Sequence, residues 1–214
     1  MSERISLKDY VHNAILEDIL SYRLKPGEII NEKSMVERFG CSKSPVREAL
    51  LTLCNENVLR SLPRYGYEVV RLTQQEIREM MEIRMVLELG FVQRYYHTIT
   101  EEQIRELESI NEKCMDENAD AETHWKYNTQ FHLKLMEYWG NEFAVDALGR
   151  CLFSQTRAYI QSYWEKERTT AYSLDTRHHA EIIAALRAKD LDGLVKAIRL
   201  DYHDFGGPDS FTMN

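Results

Sequence analysis

Near the start of the chain, Val11, Ile15, Ile19 and Tyr22 recur three and four residues apart and predict a helix over about Leu7 to Tyr22. The run "KPGE", Lys25 to Glu28, closes it with a turn. A second, short helix is expected between Asn31, an N-cap, and Gly40, a C-terminal stop. A third begins within "GCSKSPVREAL", Gly40 to Leu50. There Ser44 is the expected cap and Pro45 suits the first helical position, while Val46, Ala49, Leu50 and Leu53 mark a buried face that ends near Asn57. Beyond it, "VLRSL" and "YEVVRL" are rich in branched residues and read as two strands joined across "PRYG". Two short helices, a tight turn and a hairpin predict a winged helix-turn-helix, whose third helix is the one that enters a major groove.

The second half has a different texture. Three of the four prolines and three of the nine glycines precede Leu72, and Thr73 to Tyr202 contains no proline. The expected fold is mainly α: residues 1–72 form the winged helix-turn-helix and residues 73–214 an all-α helical bundle. In "TQQEIREMMEIRMVLELGFVQRYY", Ile77, Met80, Met81, Met85, Leu89 and Val92 form one apolar stripe, its methionines reading as core filler. Arg84 and Glu88 are four apart beside that stripe and predict a local ion pair.

With 214 residues, 43% of them hydrophobic, the chain can form one large domain or two modest ones with real cores. No run approaches the length of a membrane span, and the start lacks the apolar stretch of a signal peptide, so a cytoplasmic protein without a membrane partner is expected. Cys41, Cys54, Cys114 and Cys151 are widely scattered, which suits reduced thiols and not a disulfide scaffold or zinc ribbon. The net charge of -8 argues against a polyanionic partner only until its distribution is read. Lys33 to Arg71 carries seven cations against four acids. A local basic face suffices, because exposed charges act over a Debye length of about 8 Å in physiological salt.

Lys43 and Arg47 lie at the mouth of the third helix, where free amides are already electropositive and carboxylates would be preferred. A phosphate supplied from outside resolves that conflict. Ser42 and Ser44 add small donors, Lys33 can reach the flanking backbone, and Arg64 and Tyr65 sit at a wing tip beside Gly66. Taken singly, each reads first as an ordinary surface residue. The arrangement is what points to double-stranded DNA.

The stretch "LKPGEIINEKSMVERFGCSKSPVREALLTLCNENVL", Leu24 to Leu59, followed by "PRYGYEVV", resembles the GntR-type bacterial transcription regulators of the FadR-like branch. The similarity runs through nearly the whole chain. It implies a homodimer on an operator of two-fold symmetry and a helical FCD-type effector domain. The DNA contacts it implies fall on Lys33, Lys43, Ser44, Arg47 and Gly66. Lys43 stands where such regulators usually have arginine, and lysine lacks the planar fork that makes two hydrogen bonds to guanine. Arg84 occupies the place of an arginine that faces the effector cavity, which implies an anchor for a small carboxylate.

Asn128 and His132 are one helical turn apart, and His179 is in phase with Ile182, Ile183 and Leu186. His178, displaced by about 100°, is expected to face solvent. His203 borders a stripe of Leu191, Leu194, Val195, Ile198 and Tyr202. Each imidazole alone reads as an ordinary buried histidine bonded to a carbonyl. The resemblance groups Asn128, His132, His179 and His203 as ligands of a divalent transition metal, Zn²⁺ or Ni²⁺, with Asn128 in place of the usual aspartate. The expected function is then a ligand-responsive repressor in which a small organic or sugar acid bridges the metal and Arg84. In one alternative the metal itself is the signal. A metal-dependent hydrolase is the other, although no HExxH motif occurs and no acid is placed as an evident general base. The expectation is a protein that is not an enzyme.

Overall fold

The computed structural model describes residues 5–116, 121–165, 176 and 178–204, and they fall into two compact units. The first holds the chain up to Leu72 together with a segment from Tyr159, and the second takes the rest from Thr73.

The first unit runs α1 (Leu7–Leu20), β1 (Ile29–Ile30), α2 (Glu32–Phe39), α3 (Lys43–Asn55), β2 (Leu59–Leu62) and β3 (Gly66–Val69). Helix α1 stops two residues before the expected end, because Tyr22 turns to φ 61 and its N–H bonds back to the Ile19 carbonyl. Helix α2 has the expected ends: Asn31 Oδ1 accepts from Ser34 N–H at 2.9 Å, and Gly40 takes the left-handed conformation. Helix α3 starts earlier than its sequence suggests, with Ser42 in the extended cap position and Lys43 as its first residue. Ser44 donates instead to Glu48 at 2.8 Å, and Pro45 occupies the third helical position. That placement costs nothing in hydrogen bonds, since the first N–H groups of any helix have no acceptor within it.

The hairpin is joined by a third strand that periodicity does not reveal. Residues Ile29 and Ile30 pair antiparallel with Glu68 and Tyr67, giving the order β1-β3-β2. Two residues are too few to leave an alternating signal. Gly66 is where this pairing is tightest: its φ is 129, and a Cβ there would collide with the Ile30 carbonyl oxygen. Beneath the sheet, α1 packs on α3 around Val11, Ile15, Val46, Leu50 and Leu53, all fully buried. One acid enters this core. Asp18 accepts from Arg23 Nε at 2.7 Å and from Arg38 of α2. Burial pushes its carboxyl up, but the two guanidiniums override it and hold it below 3.8.

The second unit comprises α4 (Gln74–Tyr95) and a 3₁₀ turn (Tyr96–Thr98), then α5 (Glu101–Cys114), α6 (Ala121–Glu137), most of α7 (Glu142–Glu165), α8 (His179–Ala188) and α9 (Leu191–Asp204). Capping boxes start two of these helices, Thr73 with Glu76 on α4 and Thr100 with Gln103 on α5. Helix α5 packs against α6 and α8, and α9 against α4 and α8. Leu89, Val92, Leu107, Phe131, Ile182, Leu186, Leu194 and Ile198 fill the space between them. His178 departs from its expected exposure. It is buried and lies 2.6 Å from Glu181, because it occupies the turn before α8, where the angular rule of a helix does not apply.

Two predictions follow from the first unit. A group with a depressed folded pKa contributes stability above its unfolded value and loses it as the pH falls through the folded one. Asp18→Asn is therefore expected to lower the stability of this unit at pH 7 by roughly 1–3 kcal/mol in chemical denaturation. The gap to wild type should close as the pH drops below 3.8. Gly66→Ala should cost roughly 1–3 kcal/mol through overpacking against β1, read as a lower melting temperature; a variant as stable as wild type would contradict the tight pairing.

Candidate functional site

The mouth of α3 is open to solvent. Ser42, Lys43, Ser44 and Arg47 are all exposed, the Lys43 and Arg47 side chains by 71% and 63%. Lys33 projects from the first turn of α2, 3.9 Å from Glu37, and Arg64 and Tyr65 stand exposed at the tip of the β2–β3 turn. Sequence reasoning missed the group that answers the charge conflict at this mouth. Glu32, the first residue of α2, lies 3.2 Å from Lys43 Nζ and 3.9 Å from Arg47 Nε, and accepts from the Tyr67 hydroxyl at 3.3 Å. Exposed ion pairs of this kind are worth about 0–1 kcal/mol. A phosphate with its own charge can therefore replace Glu32 as the partner of either cation.

A second polar centre lies inside the helical unit, among Arg84 and Glu88 of α4, His132 of α6, Gln155 of α7, His179 of α8 and Asp201 of α9, all of them buried. The Arg84 guanidinium is its hub. Its Nε donates to Glu88 at 3.3 Å and Nη1 to Gln155 at 3.2 Å, while Nη2 reaches His132 Nε2 at 2.9 Å and Asp201 Oδ2 at 3.0 Å. Burial works against every charge here. For Arg84 the Glu88 and Asp201 carboxylates outweigh it and raise the pKa. Burial likewise pushes Asp201 up, but His132, His179 and Arg84 together drive it well below the carboxylate range. His132 is pulled down by burial yet held above its ordinary value by Glu88 and Asp201. His179, with burial dominant, is pushed down to about 3 and is neutral at physiological pH.

The two imidazoles are oriented alike. His132 Nδ1 lies 3.1 Å from Glu88, an acceptor, and His179 Nδ1 lies 3.2 Å from Asn111 Oδ1. Each ring therefore turns Nε2 inward; the two Nε2 atoms are 3.3 Å apart, and His179 Nε2 is 3.5 Å from Asp201 Oδ1. That Asp201 oxygen is buried and has no hydrogen-bond donor among the described residues. Ligand atoms of His132, His179 and Asp201 lie within 4.8 Å of one another. Two inward nitrogens, each fixed by an oxygen on its far side, and one carboxylate oxygen without a donor make a donor set that fits a borderline divalent ion. His124, by contrast, is the ordinary case: buried, with Nδ1 3.0 Å from the Cys114 carbonyl.

Of the residues expected to hold a metal, His132 and His179 meet. Asn128 is buried one turn before His132. The His203 side chain lies outside the described residues, and the ligand that α9 brings to the centre is Asp201. Its signal was present: Asp201 is three residues after Ile198 and seven after Leu194, so an acid occupies the core phase of α9. Arg84, expected to face a cavity, is instead engaged by Glu88, Asp201 and Gln155.

Comparison with known proteins places both halves. Residues 7–69 match the family described as bacterial regulatory proteins, gntR family, and residues 79–203 match the FCD domain. The gluconate operon transcriptional repressor of Bacillus licheniformis is 25% identical over 198 residues, covering 88% of this chain and 79% of that one. The HTH-type transcriptional repressor RspR of Escherichia coli K12 is 24% identical over 190 residues, covering 88% and 82%. Among solved structures, E. coli McbR/YncC superposes with a TM-score of 0.75 at 25% identity, covering 94% of this chain and 95% of that one. These relatives are regulators of transcription and not enzymes. An exposed cationic helix mouth on a winged head, and an FCD domain spanning more than half the length, make this chain a DNA-binding transcriptional regulator of the GntR family.

Proposed function

We propose that the protein is a repressor whose residues 1–72 read an operator and whose residues 73–214 sense a small organic or sugar acid through a divalent transition metal, Zn²⁺ or Ni²⁺. The observation that carries the sensing half is the convergence of Asp201 Oδ1, an oxygen without a donor among the described residues, with the neutral His179 Nε2 at 3.5 Å in a buried interior. With both imidazoles neutral and their Nδ1–H groups turned to Glu88 and Asn111, the converging Nε2 atoms and Asp201 Oδ1 are all acceptors, and a cation is what satisfies them together. Among the residues of this chain, His132, His179 and Asp201 would hold it, with Glu88 and Asn111 keeping the rings in place. The bound ion supplies a Lewis-acidic position for a carboxylate oxygen. The repressor names of the relatives support the sign of regulation, and the gluconate operon in one of them makes a sugar acid the first anion to test.

On the DNA side, Lys43, Ser44 and Arg47 present α3 to a major groove, with Ser42 at its entry. Lys33 and the Arg64–Tyr65 tip take flanking phosphates, all within the cytoplasm where the chromosome lies. Gly66 serves that wing by packing, since its missing Cβ is what lets β1 approach. A homodimer on a two-fold operator fits the outer side of α4, where Ile83 and Val86 are 54% and 69% exposed and Gly90 leaves open space. A second reading, in which the metal alone is the signal, draws on the engagement of Arg84 by Glu88 and Asp201, which leaves its charge already matched.

Two measurements test this function. Arg47→Ala should weaken operator binding by roughly 1–3 kcal/mol in fluorescence anisotropy, and unchanged affinity in a folded protein would remove Arg47 from the interface. His179→Ala should purify without the metal that wild type retains, by elemental mass spectrometry, while its helical circular dichroism is kept. Wild-type metal content in that variant would sink the sensing half.

A further inference from the structure

We propose that the Arg84 guanidinium and a divalent cation compete for one seat, so that Arg84 must leave His132 and Asp201 before a metal can bind, and the displaced guanidinium then becomes the anchor for the carboxylate. This deepens the sensing function above and rests on His132, His179 and Asp201 being ligands. The seat is defined by distances. Arg84 Nη2 is 2.9 Å from His132 Nε2 and 3.0 Å from Asp201 Oδ2, the same two groups that a three-ligand site with His179 requires. A metal needs the His132 Nε2 lone pair, and in the resting centre that nitrogen is engaged by Arg84 Nη2 at 2.9 Å and Asp201 Oδ2 at 3.2 Å.

Charge sets the order of binding. With both imidazoles neutral, as ligation requires and with any proton on His132 released to solvent when the ion binds, the buried formal charges are those of Arg84, Glu88 and Asp201, and they sum to one unit negative. A carboxylate entering first would add a second negative charge to a dry site in which Arg84 is already matched. A divalent ion entering first leaves the site one unit positive and frees Nη2, while Nε and Nη1 keep Glu88 and Gln155. The carboxylate then restores neutrality by pairing with Nη2. Metal and acid each strengthen the other, because coupling between two sites is reciprocal. Arg84 is thus a positioning residue that holds the seat in the resting state and changes partner in the bound one.

The test measures Zn²⁺ affinity of the full-length protein by competition with a chromophoric chelator. Arg84→Met should bind Zn²⁺ at least ten-fold more tightly than wild type, and methylguanidinium added to Arg84→Ala should weaken Zn²⁺ binding back toward the wild-type value. Arg84→Lys keeps the positive charge but lacks the Nη2 fork that meets both His132 and Asp201, so it should also bind more tightly and carries the test if Arg84→Met fails to fold. In wild type, gluconate should bind only when Zn²⁺ is present. Equal Zn²⁺ affinity in wild type and the folded Arg84 variants, abolished in His132→Ala, would overturn the competition and leave the metal site standing. Zn²⁺ binding that His132→Ala does not reduce would overturn both.

Discussion

A full positive charge held in the dry interior of a helical bundle sets the terms for the second unit. Removing an ion from water costs several kcal/mol even after relaxation, and only well-placed partners offset it. Arg84 therefore dictates what four helices must bring: Glu88 from its own turn, His132 from α6, Gln155 from α7 and Asp201 from α9. An apolar cluster of similar volume would stabilise the bundle at least as well. The centre is thus poor as a device for stability, and its presence fits a site whose partners change. The surrounding layer of Phe131, Ile182 and Leu194 keeps water out, and Phe131 stacks on the His179 ring at 3.9 Å.

The first unit works in the opposite dielectric. Its functional cations stay in water, where pairing with Glu32 is worth little and exchange is easy. Asp18, its one acid in the core among the described residues, is instead tied by two guanidiniums that link α1 to α2 and to the turn after α1. The same residue types thus act in two ways. At the α3 mouth they are held loosely and stay open to solvent, and at Asp18 they fix the frame that presents them.

Much of this was legible from residue order. Asn31 and Gly40 bracket α2 because a cap donor-acceptor and a left-handed stop are local chemistry. The Arg84–Glu88 pair follows from helical spacing, and the burial of His179 from its phase with Ile182 and Ile183. What stayed hidden depended on distant segments or on broken phase. Strand β1 exists only because β3 lies beside it, and two residues carry no period. His178 was misplaced because it precedes the helix whose angles were applied to it. Ser42 took the cap position in place of Ser44 because a proline in a first turn marks the turn and not its first residue. Asp201 was in phase with the core of α9 but is an acid, and acids are assumed to face water unless a partner such as Arg84 is known.

The two-residue strand has a further consequence. Because Ile29 and Ile30 are stitched to the wing and lead directly into Asn31, the hairpin and α2 share one mechanical frame, and the Tyr67 hydroxyl reaching Glu32 adds a second rivet across it. A tilt of the wing therefore pulls on the helix pair, and the reading head is braced to move as one piece.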